Sequence, residues 1–409
     1  MVTRRAFLAG AAAGGALASG GVLTACSATD TPTADEVAAP RVAEGFRDAR
    51  DGAHQTGILA AGSAYALMAS FRVVAGDRVE LAETLRTLSA EVESLQGGER
   101  PDPLEPGLPP PDNGVLDDVD AHLDSATLSV GASLFDERFG LADRRPRELV
   151  AMTRLANDRL DPARTHGDLL LVLQAGHEDI GIHALRRVMR ETRGTLVLHW
   201  VLDAFTRPDA QPLGGQTNTR NLMGFKDGTG NPDTEQGDLM DDVVWVGADD
   251  DEPDWALGGS YQAVRVIRMF VEHWDRTSLS QQEAIFGRHR GSGAPLGAAA
   301  ETDTPNYVDD PDGELIPLDA HIRLANPRDG SPLILRRGFS YARGVDGSGQ
   351  LDQGLAFVSY QRRLESFLQT QERLAGEPLE EYIVPEGGGF FFALPGPGSA
   401  GWLGQSLLG

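Results

Sequence analysis

The stretch that most restricts the fold runs from residue 168 to 205: "DLLLVLQAG", then "DIGIHALRRVMRET", then "GTLVLHWVLDAF". The outer segments are apolar runs of strand length, rich in Leu and Val. The middle one repeats its apolar positions at helical spacing, which predicts Ile182, Leu185, Val188 and Met189 on one buried face. Strand, helix, strand in so short a span forces a layered arrangement, because the helix must bury its stripe against a sheet.

The same order returns further on. "YQAVRVIRMFVEHWD" (261–275) reads as a strand and "SLSQQEAIFGRH" (278–289) as a helix with Ser278 or Ser280 near its cap. "PLILRRGFSYARG" (332–344) and "GLAFVSYQRR" (354–363) read as strands, and "LESFLQTQERLAG" (364–376) as a helix ending at glycine. Upstream, "DRVELAETLRTLSAEVESLQ" (77–96) is helical, while the Pro-rich "GGERPDPLEPGLPPPDNG" (97–114) is a surface loop. Two successive α+β halves are therefore expected, an N-terminal one over 46–210 and a C-terminal one over 211–409. A length of 409 residues allows two cores.

The net charge of −25 argues against binding nucleic acid or an anionic membrane by charge. The single cysteine, Cys26, excludes an internal disulfide framework, an iron–sulfur cluster, a thiolate zinc site and thioether-linked haem. The chain opens with Arg4 and Arg5 before an Ala/Gly-rich apolar run, the form of an export signal, and "TRRAFL" resembles the twin-arginine type. Residues 1–25 read as that signal and 26–45 as a flexible tether. "LTAC" resembles a lipobox, in which Cys26 would carry a lipid. Periplasmic, cell-surface lipoprotein and secreted forms are all consistent with this leader.

Within "NLMGFKDGTGNPDT" (221–234), Asp227 sits among glycines. The stretch lacks the P-loop and EF-hand patterns, and taken alone it reads as an Asp-Gly turn. His177 and His183 have the wrong spacing for a metalloprotease helix. His321, in "DAHIRLANPRDG", stands where the chain leaves a short apolar run.

Taken together, "GFKDGTGNP", "GGSYQAVRVIRM", "EHWDRTSLSQQE", "GSGAPLG", "DAHIRLANPR", "LRRGFSY" and "GGGFFFALPG" resemble the dye-decolorizing haem peroxidases. The nearest branch is the exported, deferrochelatase-like group of iron-uptake systems. The resemblance implies two ferredoxin-like α+β halves with antiparallel sheets, of the dimeric α+β barrel type. It also implies one non-covalent haem b per chain, held in the C-terminal half. His321 would be the iron ligand, and Asp227 and Arg336 the distal catalytic pair. Gly228, Thr229, Gly230, Asn326, Pro327 and Arg328 would lie against the haem and its propionates. A carboxylate on the second nitrogen of His321 would strengthen the ligand, with Glu381 the expected partner and Glu380 the alternative.

The implied activity is reduction of hydrogen peroxide with one-electron oxidation of organic donors such as dyes or phenolics. The alternative is an iron-uptake role acting on haem or ferrous iron. Implied partners are peroxide, an organic donor, iron-uptake components and further copies of the chain. Bulky donors would pass electrons through surface aromatics, with Trp274, Trp255, Tyr261, Tyr341 and Tyr360 as stations.

Overall fold

Among the described residues of a computed structural model, nine strands form one continuous antiparallel sheet. The structure describes residues 52–60, 62–100, 106–207, 218–327, 330, 333–398 and 401–409. The expected signal, tether and Cys26 lie outside the described residues, as does Arg328.

The first half contributes β1 (Tyr65–Val73), helix α1 (Arg78–Gln96), β2 (Ser125–Gly131), β3 (Leu169–Ala175), helix α2 (Glu178–Glu191) and β4 (Leu196–Phe205). Its strand order is β2-β3-β1-β4. The second half begins with the short helix α3 (Gly237–Val243) and continues with β5 (Ser260–Met269). A long crossover follows, carrying helices α4 (Val271–Trp274), α5 (Leu279–Phe286) and α6 (His321–Ala325). Then come β6 (Leu335–Arg336), β7 (Phe339–Val345), β8 (Leu351–Gln361), helix α7 (Leu364–Leu374), β9 (Ile383–Ala393) and helix α8 (Gln405–Leu408). Here β5 lies between β9 and β8, and β7 lies beyond β8. Each half thus has the ferredoxin-like order, with one helical crossover after its first strand and another after its third, β6 and β7 counting as one interrupted strand along β8. Two seams join the halves, Ser129↔Ala393 between β2 and β9 and Phe205↔Ser340 between β4 and β7. With β5 also paired to β8, the sheet closes into a barrel.

Alternation along the strands sorts the core into two compartments. Ala66, Met68, Leu170, Val172, Leu202, Val264, Val266, Ala356 and Val358 come from both halves and form one cluster inside the barrel. Tyr65, Leu67, Phe71, Tyr261 and Ala263 point outward, under the crossover helices. Helix α1 starts at Asp77, whose carboxylate accepts from the backbone N–H groups of Val79 and Glu80.

Three local expectations change. On α2 the buried face is Ile180, Gly181, Ala184 and Val188, while Ile182 and Met189 are exposed. Gly181 sets this rotation: a Cβ there would lie 2.4 Å from the Tyr65 ring, so the helix approaches β1 on its glycine side. The run at 261–275 is strand only to Met269, after which "VEHW" coils into α4. The strand over 332–344 is broken at Arg337–Gly338 into β6 and β7.

Candidate active site

The site lies on the outer face of the second half's sheet, beneath its two crossovers. A cavity of about 470 Å³ opens there, walled by Ile267, Met269, Leu355 and Phe357 from the strands and by Phe286 from α5. Asp227, Gly228, Thr229, Gly230, His321, Asn326, Pro327 and Arg336 all line it. The expected residues are therefore brought to one cavity, with Arg328 outside the described residues.

His321 is the first residue of α6, on the crossover between β5 and β6. Its Nδ1 is 2.7 Å from Oε2 of Glu377, whose side chain is 5 % exposed. Glu377 lies on the other crossover, just past α7. The expected partner was Glu381 or Glu380, and the geometry corrects it. "PLEE" forms a tight turn that sends Glu381 to Nε2 of the exposed His273, 3.1 Å away, and Glu380 to the backbone N–H of Gly376. The residue capping that turn faces the imidazole instead. With Nδ1 committed to a buried carboxylate, Nε2 is the nitrogen left for a metal.

Across the cavity, Arg336 Nη1 donates to Asp227 Oδ1 at 3.0 Å, both side chains being partly exposed. Arg336 leaves β6 on the outward face, because its neighbour Leu335 points into the barrel. Asn231 fixes its backbone from both sides, donating to the Arg336 carbonyl at 2.9 Å and accepting from its N–H at 3.1 Å. The loop carrying Asp227 turns at Gly224 and Gly228, with φ of 86° and 104°. A side chain at 228 would be strained and would also meet Asn218 Oδ1 at 3.1 Å.

Sequence reasoning left Lys226 without a role. It forms a buried ion pair with Glu301, the two side chains being 10 % and 1 % exposed. Glu301 also accepts from Asn218 Nδ2 at 2.7 Å and Thr229 Oγ1 at 2.9 Å. Burial alone would raise the Glu301 carboxyl, but the bonds from Lys226, Asn218 and Thr229 bring it below the ordinary glutamate value. Arg288, also unforeseen, lines the cavity and spends Nη1 on the carbonyls of Gly293 and Glu301 rather than on a carboxylate. Burial works against its charge, with Tyr307 and Glu301 opposing that effect and Arg336 adding to it.

The expected electron stations Trp274, Trp255, Tyr261, Tyr341 and Tyr360 are all buried, so none is a surface aromatic. Trp274 nevertheless belongs to a chain of touching rings. Phe286 stands edge-on to His321 at 5.9 Å and to Trp274 at 5.7 Å. Trp274 contacts Tyr382 at 5.0 Å, and Tyr382 stacks on His273, whose side chain is half exposed.

Family models of the Dyp-type peroxidase match this chain in two parts, the N-terminal model over residues 55–206 and the C-terminal model over 218–397. A deferrochelatase from Escherichia coli O157:H7 is 49 % identical over 96 % of this chain and 95 % of its own length. The chain belongs to the Dyp-type peroxidase family. The deferrochelatase of Escherichia coli strain K12 is 48 % identical over the same shares. Among solved structures, a DyP-type peroxidase from Cellulomonas bogoriensis matches with a TM-score of 0.78 at 33 % identity, covering 88 % of this chain and 97 % of that one. An oxyferrous complex of DtpA from Streptomyces lividans matches with a TM-score of 0.78 at 33 % identity, covering 88 % and 96 %. The closed α+β barrel is that of the Dyp-type peroxidases, and the chain is a haem peroxidase, an oxidoreductase with peroxide as acceptor.

Proposed function

We propose that this chain reduces hydrogen peroxide at a haem b held between His321 and the Asp227–Arg336 pair, and oxidises organic donors one electron at a time. The cavity suits such a group in its lining, which sets an apolar wall of Ile267, Met269, Phe286, Leu355 and Phe357 beside convergent polar and charged side chains. His321 would hold the iron through Nε2, and the Glu377 carboxylate on Nδ1 would make the imidazole a stronger donor. Arg288, whose Nη1 goes to backbone carbonyls, would receive one of the group's acidic side chains, with Asn326 and Pro327 lining the same cavity. When bound, haem supplies the electron chemistry of peroxide reduction and donor oxidation.

The chain's own residues handle the proton. As a carboxylate, Asp227 takes the proton from one peroxide oxygen and returns it to the other as water leaves. Arg336 holds that carboxylate at 3.0 Å and presents a fixed positive charge to the departing oxygen. The observation that carries this reading is the Asp227–Arg336 pair facing the same cavity as a carboxylate-backed histidine. The test is an absorbance spectrum of the haem-loaded protein followed by peroxide addition. A Soret band that shifts within the mixing time in wild type, but far more slowly in Arg336→Leu, supports the reading. A protein that takes up no haem ends it.

Bulky donors would deliver electrons through His273, Tyr382 and Trp274, the ring chain that reaches His321 by way of Phe286. Export by the twin-arginine route rests on Arg4 and Arg5, and lipid anchoring on Cys26. A second reading is iron release from haem, favoured by the near-complete match to proteins named deferrochelatase. Metal-free porphyrin accumulating from haem-loaded protein without peroxide would establish it, and peroxide consumption with intact haem would favour the first.

A further inference from the structure

Lys226 and Glu301 line the same cavity as Asp227, and their burial sets them apart from a surface pair. Glu301 grips the catalytic loop on both sides of Asp227, at Lys226 one residue before it and at Thr229 two residues after it. A third bond goes to Asn218, beside Thr219, whose carbonyl accepts the Asp227 N–H at 2.9 Å. The Lys226 stem lies against Gly293, where a Cβ would come within 2.8 Å of Lys226 Cδ. Arg288 holds the Glu301 backbone from the opposite side, through its carbonyl at 3.0 Å.

The geometry points to Lys226 and Glu301 as a positioning pair that fixes both the place and the charge environment of Asp227 in the peroxide step. The inference rests on Asp227 being the proton carrier. Charged and titratable groups lining the same cavity as that carboxylate include Arg336 from β6, Lys226 of its own loop, Arg288 from the segment after α5, Glu301, Asp303 and Tyr307 from the segment beyond, and His321 from α6, with Arg336 in direct contact. Two internal pairs, Asp227–Arg336 and Lys226–Glu301, balance in this arrangement. Removing one member of the second pair leaves the other buried and unbalanced beside Asp227.

Two substitutions should therefore act in opposite directions, which scaffolding alone cannot do. Glu301→Gln keeps an acceptor for Asn218 and Thr229 but leaves the Lys226 charge uncompensated, favouring the anion at 227. Lys226→Met leaves the Glu301 charge uncompensated, disfavouring it. The pair can be removed together without net charge change in Lys226→Met/Glu301→Gln.

The experiment is stopped-flow measurement of the peroxide step on haem-loaded protein across the acid range, reading the midpoint of the acid limb. Glu301→Gln should move it to lower pH and Lys226→Met to higher pH, each by about half a unit or more, and the double variant should return toward wild type. Midpoints unchanged in all variants, or moved the same way by both single variants, overturn the inference. Should a single variant fold poorly by haem uptake and thermal midpoint, the other single variant against the double decides, since their midpoints must still differ. Asp227→Asn is the control for the underlying reading. If its acid limb persists, Asp227 is not the proton carrier and the proposal falls with that reading. If the limb vanishes there but ignores the pair, only the pair's role is refuted.

Discussion

Replacing Glu377 should weaken haem binding, and replacing Glu381 should not. Glu377 is buried and accepts from His321 Nδ1 at 2.7 Å, whereas Glu381 is 66 % exposed and sits against His273. A hydrogen bond to an ionised partner contributes about 1.5–3 kcal/mol and a neutral one about 0.5–1.5. Glu377→Gln keeps the acceptor and loses the charge, so the difference of about 1 kcal/mol predicts roughly a fivefold loss of haem affinity. Glu377→Ala leaves the imidazole N–H without its buried acceptor, and the loss should reach about 10- to 100-fold. The assay is a haem titration of apoprotein followed at the Soret maximum, with Glu381→Gln alongside. Equal losses in the Glu377 and Glu381 variants, or none in Glu377→Ala, would refute the assignment.

Other consequences follow from the same contacts. Arg336→Leu should retain haem and slow the peroxide step by about 10²-fold or more, as rapid mixing would show. Asp158→Ala strands the Arg265 guanidinium, since the two form a fully buried ion pair, and should cost about 3–5 kcal/mol in denaturant unfolding of the haem-free protein. Trp274→Phe should slow oxidation of a bulky dye while leaving the peroxide step unchanged, and equal dye turnover would remove Trp274 from the route. Because the Glu301 carboxyl is held below its ordinary value, the stability it contributes is complete above that value and drains away as pH falls through the lower folded value. Acid unfolding should accordingly be less steep in Glu301→Gln.

Elements with local signals were legible in the sequence. Helix α1 and the β3–α2–β4 unit announce themselves by apolar periodicity. Strand β2, "SATLSVG", also alternates polar and apolar residues, yet its polar positions Ser125, Thr127 and Ser129 are buried as well, which the alternation does not foretell. Closure of the barrel was legible only through the family resemblance, since it depends on seams such as Ser129↔Ala393 between residues far apart in the chain. In the site, Asp227, His321 and Arg336 were found through short motifs, and the structure brings all three to one cavity. Glu377 was missed because two neighbouring glutamates offered the same chemistry. Only the turn at Pro378–Glu381 decides which one faces the imidazole. Lys226 could not be read, because its partner Glu301 lies in an irregular segment with no motif of its own.

The central claim is that Asp227 and Arg336 act on peroxide above a haem held by His321. The most direct measurement is the rate of Soret change on mixing haem-loaded protein with peroxide, for wild type, Asp227→Ala, Arg336→Leu and His321→Ala. Both distal variants should keep the band and react at least about 10²-fold more slowly, and His321→Ala should lose haem or its ligation spectrum. Distal variants reacting at the wild-type rate, or a His321→Ala protein with an unaltered haem spectrum, would contradict the account.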